Sequence, residues 1–321
     1  MLFINNKLEG GTKWWQYMLT TIISIVGMTL GSLPFMVGVT VATKATYPDY
    51  SPEQIQAFIK GMDYSSLSMD PNLLLALMLL QFIFGLAFLY LMVRVVHLKR
   101  FESLISARNR VNWRKMLFSF LIWFGLLLIL EGTSYLLTPE SYEWRFEPQP
   151  FFLLLVIALF FIPLQTSFEE LFVRGYIMPG IGLILKNRWT PIILSSILFA
   201  ALHGANPEIR QFGLYKMLSY YFLIGVFFAI IAVMDDGLEI PMGFHAANNI
   251  FAATMVSFKG SALQTPALFY NTNINTDWMI VATLILIIFI LFIAKKLLKW
   301  GDWNKLWSKI NYPDLTKEEI A

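Results

Sequence analysis

The sequence contains no cysteine. That excludes disulfides, thiolate-held metal sites and a cysteine nucleophile. Charge is scarce too: 14% of the 321 residues are Asp, Glu, Lys or Arg, where ordinary soluble domains carry about 25%. Histidine occurs three times, at His97, His203 and His245. The net charge of +3 is too small to argue for a nucleic-acid partner. No stretch reads as a cleavable signal peptide, because Met1–Lys13 is polar and the next apolar run lacks a small-residue cleavage pattern. No repeat, linker or second composition divides the chain, which reads as one transmembrane domain over residues 1–321.

What is abundant is apolar surface. Hydrophobic residues make up 57% of the chain, and the mean hydropathy is +0.61. Runs of membrane-spanning length point to an all-α polytopic membrane protein, whereas a β-barrel would show short alternating segments. The runs lie at roughly 16–42, 73–96, 116–137, 151–185, 190–203, 214–234, 240–258 and 278–298. Together they predict a bundle of about eight transmembrane helices. Pro34 is expected to interrupt the first run, and Gly27-x-x-x-Gly31 within it allows close helix packing. A short helix is expected near Ser51-Pro52-Glu53. The fourth run would measure about 54 Å as one helix, beyond a bilayer core of ~30 Å. Pro163, Pro179 and Gly180 are therefore expected to bend or divide it.

Residues 97–115 are strongly basic and read as cytoplasmic, which with eight spans makes both termini cytoplasmic. One connection disagrees: 235–239 should lie on the same side but is acidic. His97 reads as an interfacial residue. Glu131 reads as a partly hydrated acid near the outer end of the third span, with no obvious local partner.

The most improbable stretch is Ser167-Phe168-Glu169-Glu170-Leu171-Phe172-Val173-Arg174-Gly175, which sets three ionisable residues inside an apolar run. Charge at that depth is costly and faces a partner or a water-filled cavity. On a helix, Glu170 and Arg174 are four apart with the acid first, the favoured ion-pair orientation. Glu169 lies about 100° around the helix, with no second cation within helical reach. One carboxylate is then structural and its neighbour is left for chemistry. An unpaired carboxylate in low-dielectric surroundings suits a general base working near neutral pH.

Two histidines also lie within expected spans. Phe199-x-x-x-His203 and His245-x-x-x-Asn249 each align two residues on one helical face, and Gly243 and Ala246-Ala247 keep the second motif uncrowded. A lone intramembrane histidine is ordinarily a satisfied packing residue; two of them with an unpaired acid suit hydrolysis. A base deprotonates water, imidazole positions it, and neutral donors hold the developing oxyanion. Glu169, His203 and His245 could also hold a divalent metal such as zinc, although a His-Glu-x-x-His helix is absent. Metal-assisted and metal-free hydrolysis both stay open.

Together, Glu169-Glu170-x-x-x-Arg174, Phe199-x-x-x-His203 and His245-x-x-x-Asn249 resemble the three motifs of the CPBP intramembrane proteases. That family includes type II CAAX prenyl proteases and Abi-type bacteriocin-processing and immunity proteins. The resemblance covers roughly 151–258, and the flanking spans match in number alone. It departs at Val173, where a second aromatic often precedes the arginine. It implies that Glu169 activates water with His203, that His245 and Asn249 stabilise the oxyanion, and that Glu170, Arg174 and Phe199 support the scaffold. The substrate would be a membrane-anchored or lipidated peptide or protein, met in the lipid bilayer. Two other readings compete. One is a non-catalytic membrane scaffold or immunity protein of the same fold. The other is a proton-coupled transporter using Glu131 and Glu169, against which no inverted repeat with paired broken helices is found.

Overall fold

A computed structural model describes residues 13–310 apart from 62 and 109, so the polar leader up to residue 12 lies outside the described residues. In chain order, α1 (Trp14–Thr46) is followed by the short α2 (Pro52–Gly61), then α3 (Pro71–Val95), a single turn α4 (Glu102–Ile105) and α5 (Trp113–Leu137). The chain continues through α6 (Pro148–Glu170), a π-helical segment (Leu171–Ile177) and α7 (Met178–Leu185). Next come α8 (Trp189–Leu202), α9 (Pro207–Phe212), α10 (Leu214–Asp235), α11 (Glu239–Thr254) and α12 (Thr276–Leu297). Local chemistry sets the starts. Asp70 caps α3 by accepting from the N–H groups of Asn72 and Leu73, with Pro71 at the first helical position. Asn112 and Asn275 cap α5 and α12 in the same way.

Among the described residues, six helices are long and apolar enough to cross a membrane, counting Pro148–Leu185 as one. The protein is an all-α polytopic membrane protein. The other two expected spans are shorter: α8 has 14 residues and α11 has 16. At ~1.5 Å per residue they rise only about 21 and 24 Å, less than a bilayer core. Neither needs to reach both surfaces alone, because other helices surround it. Nearly every residue of α11 is buried, and it packs on α5, α6 and α10. It can therefore carry His245, Asn248 and Asn249 without presenting them to lipid.

The expected interruptions fall elsewhere. Pro34 sits inside an unbroken α1, and Pro163 inside an unbroken α6. Residues 148–185 run on for 38 residues without division. The irregularity is the π segment, where the N–H of Met178 reaches back five residues to Val173 O. Such insertions often mark functional positions. Membrane helices in general tolerate proline, since side chains and neighbouring helices can satisfy the freed backbone groups.

Small residues permit the closest helix approaches. A Cβ on Gly31 would stand 2.8 Å from Gln81 Cα of α3, so the expected Gly27/Gly31 packing face is used. A Cβ on Gly243 would collide with Ser119 Oγ and Met116 O of α5, which brings the backbone of α11 directly against α5.

The acidic 235–239 connection, which contradicted the charge pattern, is neutralised by the basic segments beside it. Asp235 pairs with Lys115 at 2.8 Å and accepts from Trp300 Nε1, and Asp236 pairs with Lys305 at 3.0 Å. Ser106 bridges to Gly237, and Asn187 to Lys309. The basic loops thus gather at one end of the bundle. His97 is packed inside the protein rather than left at its surface: it is 1% exposed, and its Nε2 lies 2.8 Å from Tyr176 Oη and 3.2 Å from Thr20 Oγ1. This polar cluster ties α1 to the π segment. At the opposite end a small sheet forms in the order β1 (Tyr142–Trp144), β3 (Phe269–Asn271), β2 (Val256–Phe258). There Tyr142 supplies the partner Glu131 lacked, donating to Glu131 Oε1 at 2.6 Å.

Candidate active site

The Glu170–Arg174 pair forms as the spacing requires. Arg174 Nη1 donates to Glu170 Oε1 at 2.9 Å, and neither side chain has any solvent exposure. The guanidinium lies 4.0 Å from the centroid of the Phe199 ring, a cation–π contact strengthened by the dry surroundings. Phe199 in turn stands edge-on to His245 at 6.0 Å and tilts over His203 at 4.4 Å. The supporting residues are therefore one packed unit beneath both imidazoles.

His245 links the two glutamates. Its Nδ1 lies 2.8 Å from Glu170 Oε1, and its Nε2 lies 3.3 Å from Glu169 Oε2. The first is a hydrogen bond, in which Nδ1–H donates to a carboxylate already held by Arg174. The second is a close approach without hydrogen-bond alignment, and Glu169 Oε2 has no hydrogen-bond partner among the described residues. Arg174, Glu170, His245 and Glu169 thus form a chain of alternating partners that ends on a carboxylate. The hydrogen bond to the Glu170 carboxylate fixes the tautomer and orientation of the imidazole.

His203 approaches from the C-terminal end of α8. Its Nδ1 lies 2.8 Å from the carbonyl oxygen of Phe199. A carbonyl only accepts, so Nδ1 carries the proton, and in the neutral ring Nε2 is left as an acceptor. The ring is sandwiched between Phe199 and Tyr221, each with centroids 4.4 Å away. Among the described residues His203 makes no hydrogen bond to Glu169 or His245. Asn249 lies one turn beyond His245: its Nδ2 donates to Gln165 Oε1 at 3.1 Å, and its Oδ1 accepts from Asn248 Nδ2 at 3.2 Å. One N–H of that amide remains uncommitted.

Glu169, Phe199, His203, His245 and Asn249 all line one cavity of ≈ 1660 Å³, while Glu170 and Arg174 lie behind its wall. Gln165, Asn248 and Tyr221 also line it and were not foreseen. Gln165 was within reach of the sequence, since it precedes Glu169 by four residues and shares its helix face; Tyr221 gives no such signal. His245 turns both ring nitrogens toward carboxylates, and no group of three His, Asp or Glu side chains among the described residues is placed to hold an ion.

A polytopic helical membrane protein with a Glu/His/His/Asn cavity at its centre is therefore the class that fold and site define. Residues 148–251 match the family model of type II CAAX prenyl endopeptidase Rce1-like proteins, and every motif residue named above falls inside that segment. The chain is also 28% identical over 276 residues to the uncharacterized protein YyaK of Bacillus subtilis (strain 168), covering 84% of this chain and 88% of that protein. No solved structure matches it. The chain carries an Rce1-like segment consistent with the CPBP family, and that family suggests intramembrane protease activity of the CAAX type.

Proposed function

We propose that this protein is an intramembrane endopeptidase that hydrolyses a peptide bond of a membrane-anchored or lipidated protein or peptide. One observation carries the reading. Glu169, whose Oε2 is buried beside His245 with no hydrogen-bond partner among the described residues, lines the same cavity as His203, His245 and Asn249. An acid whose partner is an oriented imidazole, open to a cavity at membrane depth, is arranged for proton transfer rather than for packing.

In this mechanism a water sits between Glu169 and the acceptor nitrogen of His203. Glu169 takes its proton as the oxygen attacks the scissile carbonyl. Developing negative charge on the carbonyl oxygen is met by the free N–H of Asn249, oriented by Gln165, and by His245 in its imidazolium form, whose Nε2–H donates while Nδ1–H stays on Glu170. The C–N bond then breaks, and Glu169 returns the proton to the leaving amine. Arg174, Glu170 and Phe199 hold these groups without touching the substrate. By the excess of Lys and Arg in its loops, we take the basic end of the bundle as the cytoplasmic one and propose that both termini lie on that side.

The test is cleavage of a single-span peptide in proteoliposomes. Glu169→Gln should abolish turnover while the protein remains folded, and cleavage by that variant at the wild-type rate ends the proposal. The competing scaffold reading rests on the solvent-free Arg174–Glu170–His245 unit. It requires biological activity to survive Glu169→Gln but not the loss of Arg174.

A further inference from the structure

Three acids line the cavity: Glu131, Glu169 and Glu208. Glu131 receives the Tyr142 hydroxyl, and Glu169 faces His245. Glu208 differs from both. It lies five residues after His203, on α9, and is 8% exposed. Its Oε1 accepts the Ala262 N–H at 2.7 Å, while its Oε2 is buried with no partner among the described residues. No cation among them comes within ion-pair distance of it. Arg210, two residues on, donates instead to the carbonyls of Lys60 and Gly61. Burial holds the Glu208 carboxyl above the usual carboxylate range, only partly offset by the Ala262 N–H.

Its position gives this isolated acid a purpose. Tyr221 stacks on His203 at 4.4 Å, and its hydroxyl accepts from Asn206 Nδ2 at 3.2 Å. The wall of the cavity thus runs from His203, over Tyr221, to the 206–208 turn and the 261–263 loop. A peptide whose scissile bond lies at Glu169 and His203 would carry a flanking side chain past Glu208. Buried carboxylates are ordinarily paired, and here no cation within the described chain pairs this one.

We propose that Glu208 is a specificity-determining residue that receives a lysine or arginine side chain of the substrate, flanking the scissile bond, where α9 meets the 261–263 loop. The proposal rests on the peptidase reading for its substrate, but it concerns binding rather than turnover. A cation there forms a charge-assisted hydrogen bond in a dry site, the strong kind.

The experiment measures peptide binding to the Glu169→Gln protein in nanodiscs, by fluorescence anisotropy, so that no cleavage is needed. The probes are fluorescein-labelled single-span peptides with one lysine at successive positions of the polar flank, and copies with glutamine or glutamate there. At one register the lysine peptide should bind about tenfold tighter than the glutamine peptide, roughly the discrimination a buried charged hydrogen bond supplies. Glu208→Gln keeps an acceptor for the Ala262 N–H. It should erase that difference while leaving the glutamine peptide's affinity unchanged, and Glu208→Lys should favour the glutamate peptide. The inference is overturned if no register prefers lysine or no peptide binds. It is equally overturned if the preference survives Glu208→Gln, or if that variant weakens all peptides alike, as a mere loop staple would. Charge-dependent binding by a protein that proves unable to cleave would fault the peptidase reading and uphold Glu208 as the cation site.

Discussion

Replacing Glu170 tests whether the cavity is built on a buried ion pair. Arg174 is wholly without solvent exposure, and its nearest carboxylate is Glu170 at 2.9 Å. Glu170→Gln leaves that cation facing a neutral amide. Breaking a buried pair by removing one partner costs about 3–5 kcal/mol, because the remaining charge is uncompensated. Phe199 beneath the guanidinium offsets some of that, by about 1–2 kcal/mol for a desolvated cation–π contact, so a net loss of roughly 1–4 kcal/mol is expected. Arg174→Met should cost a similar amount, since it strands Glu170 and halves the support of His245. In the double variant Glu170→Gln/Arg174→Met both charges are gone. What remains is a weakened acceptor for His245 Nδ1–H, now 2.8 Å from an amide oxygen rather than a carboxylate, worth about 1–2 kcal/mol. The double variant should therefore be more stable than either single one, a coupling of several kcal/mol. Reversible unfolding in mixed detergent micelles, followed by tryptophan fluorescence, reads this directly. Single variants losing less than about 1 kcal/mol, or strictly additive losses, would refute the buried-pair reasoning.

Gly243→Val should destabilise the protein by about 3 kcal/mol or prevent folding, because backbone atoms of Met116 and Phe120 border the added carbons and cannot move aside; the same unfolding assay measures it. Tyr142→Phe removes the hydroxyl that donates to Glu131 and accepts from Ser134 at a half-buried site, with an expected loss of about 1 kcal/mol. Because burial raises Glu208, the folded state binds its proton more tightly than the unfolded chain does. Stability from this residue accordingly falls as pH rises from the ordinary carboxylate value through the raised one, and is regained on acidification. Glu208→Gln should gain stability relative to wild type at neutral pH, and that gain should vanish as the medium is acidified. A constant difference across a pH titration of unfolding would show that Glu208 is not buried as described.

The division of labour between the two adjacent glutamates was legible because helical spacing alone puts Arg174 beside Glu170 and not beside Glu169. Gly31 and Gly243 were legible as close-approach positions for the same reason, since a missing side chain between apolar runs permits contact whatever the partner. The partners of His97 were not legible because they come from α1 and the π segment, 77 and 79 residues away for Thr20 and Tyr176. Glu131 seemed unpartnered because Tyr142 returns to it only through the turn that begins the sheet. The prolines misled because a break in one helix's hydrogen bonding depends on what its neighbours supply.

By itself, then, the sequence determined the class of protein, the approximate position of every long helix and the pairing within single helices. These follow from the thickness of a bilayer and the pitch of an α-helix, both local rules. Only the tertiary structure decided that His245 joins Glu169 to Glu170, that Phe199 underlies both histidines and Arg174, and that Glu208 lines the same cavity. Those contacts link α6, α8, α9 and α11 through space, and their geometry depends on how the helices pack, which no periodicity along one of them records.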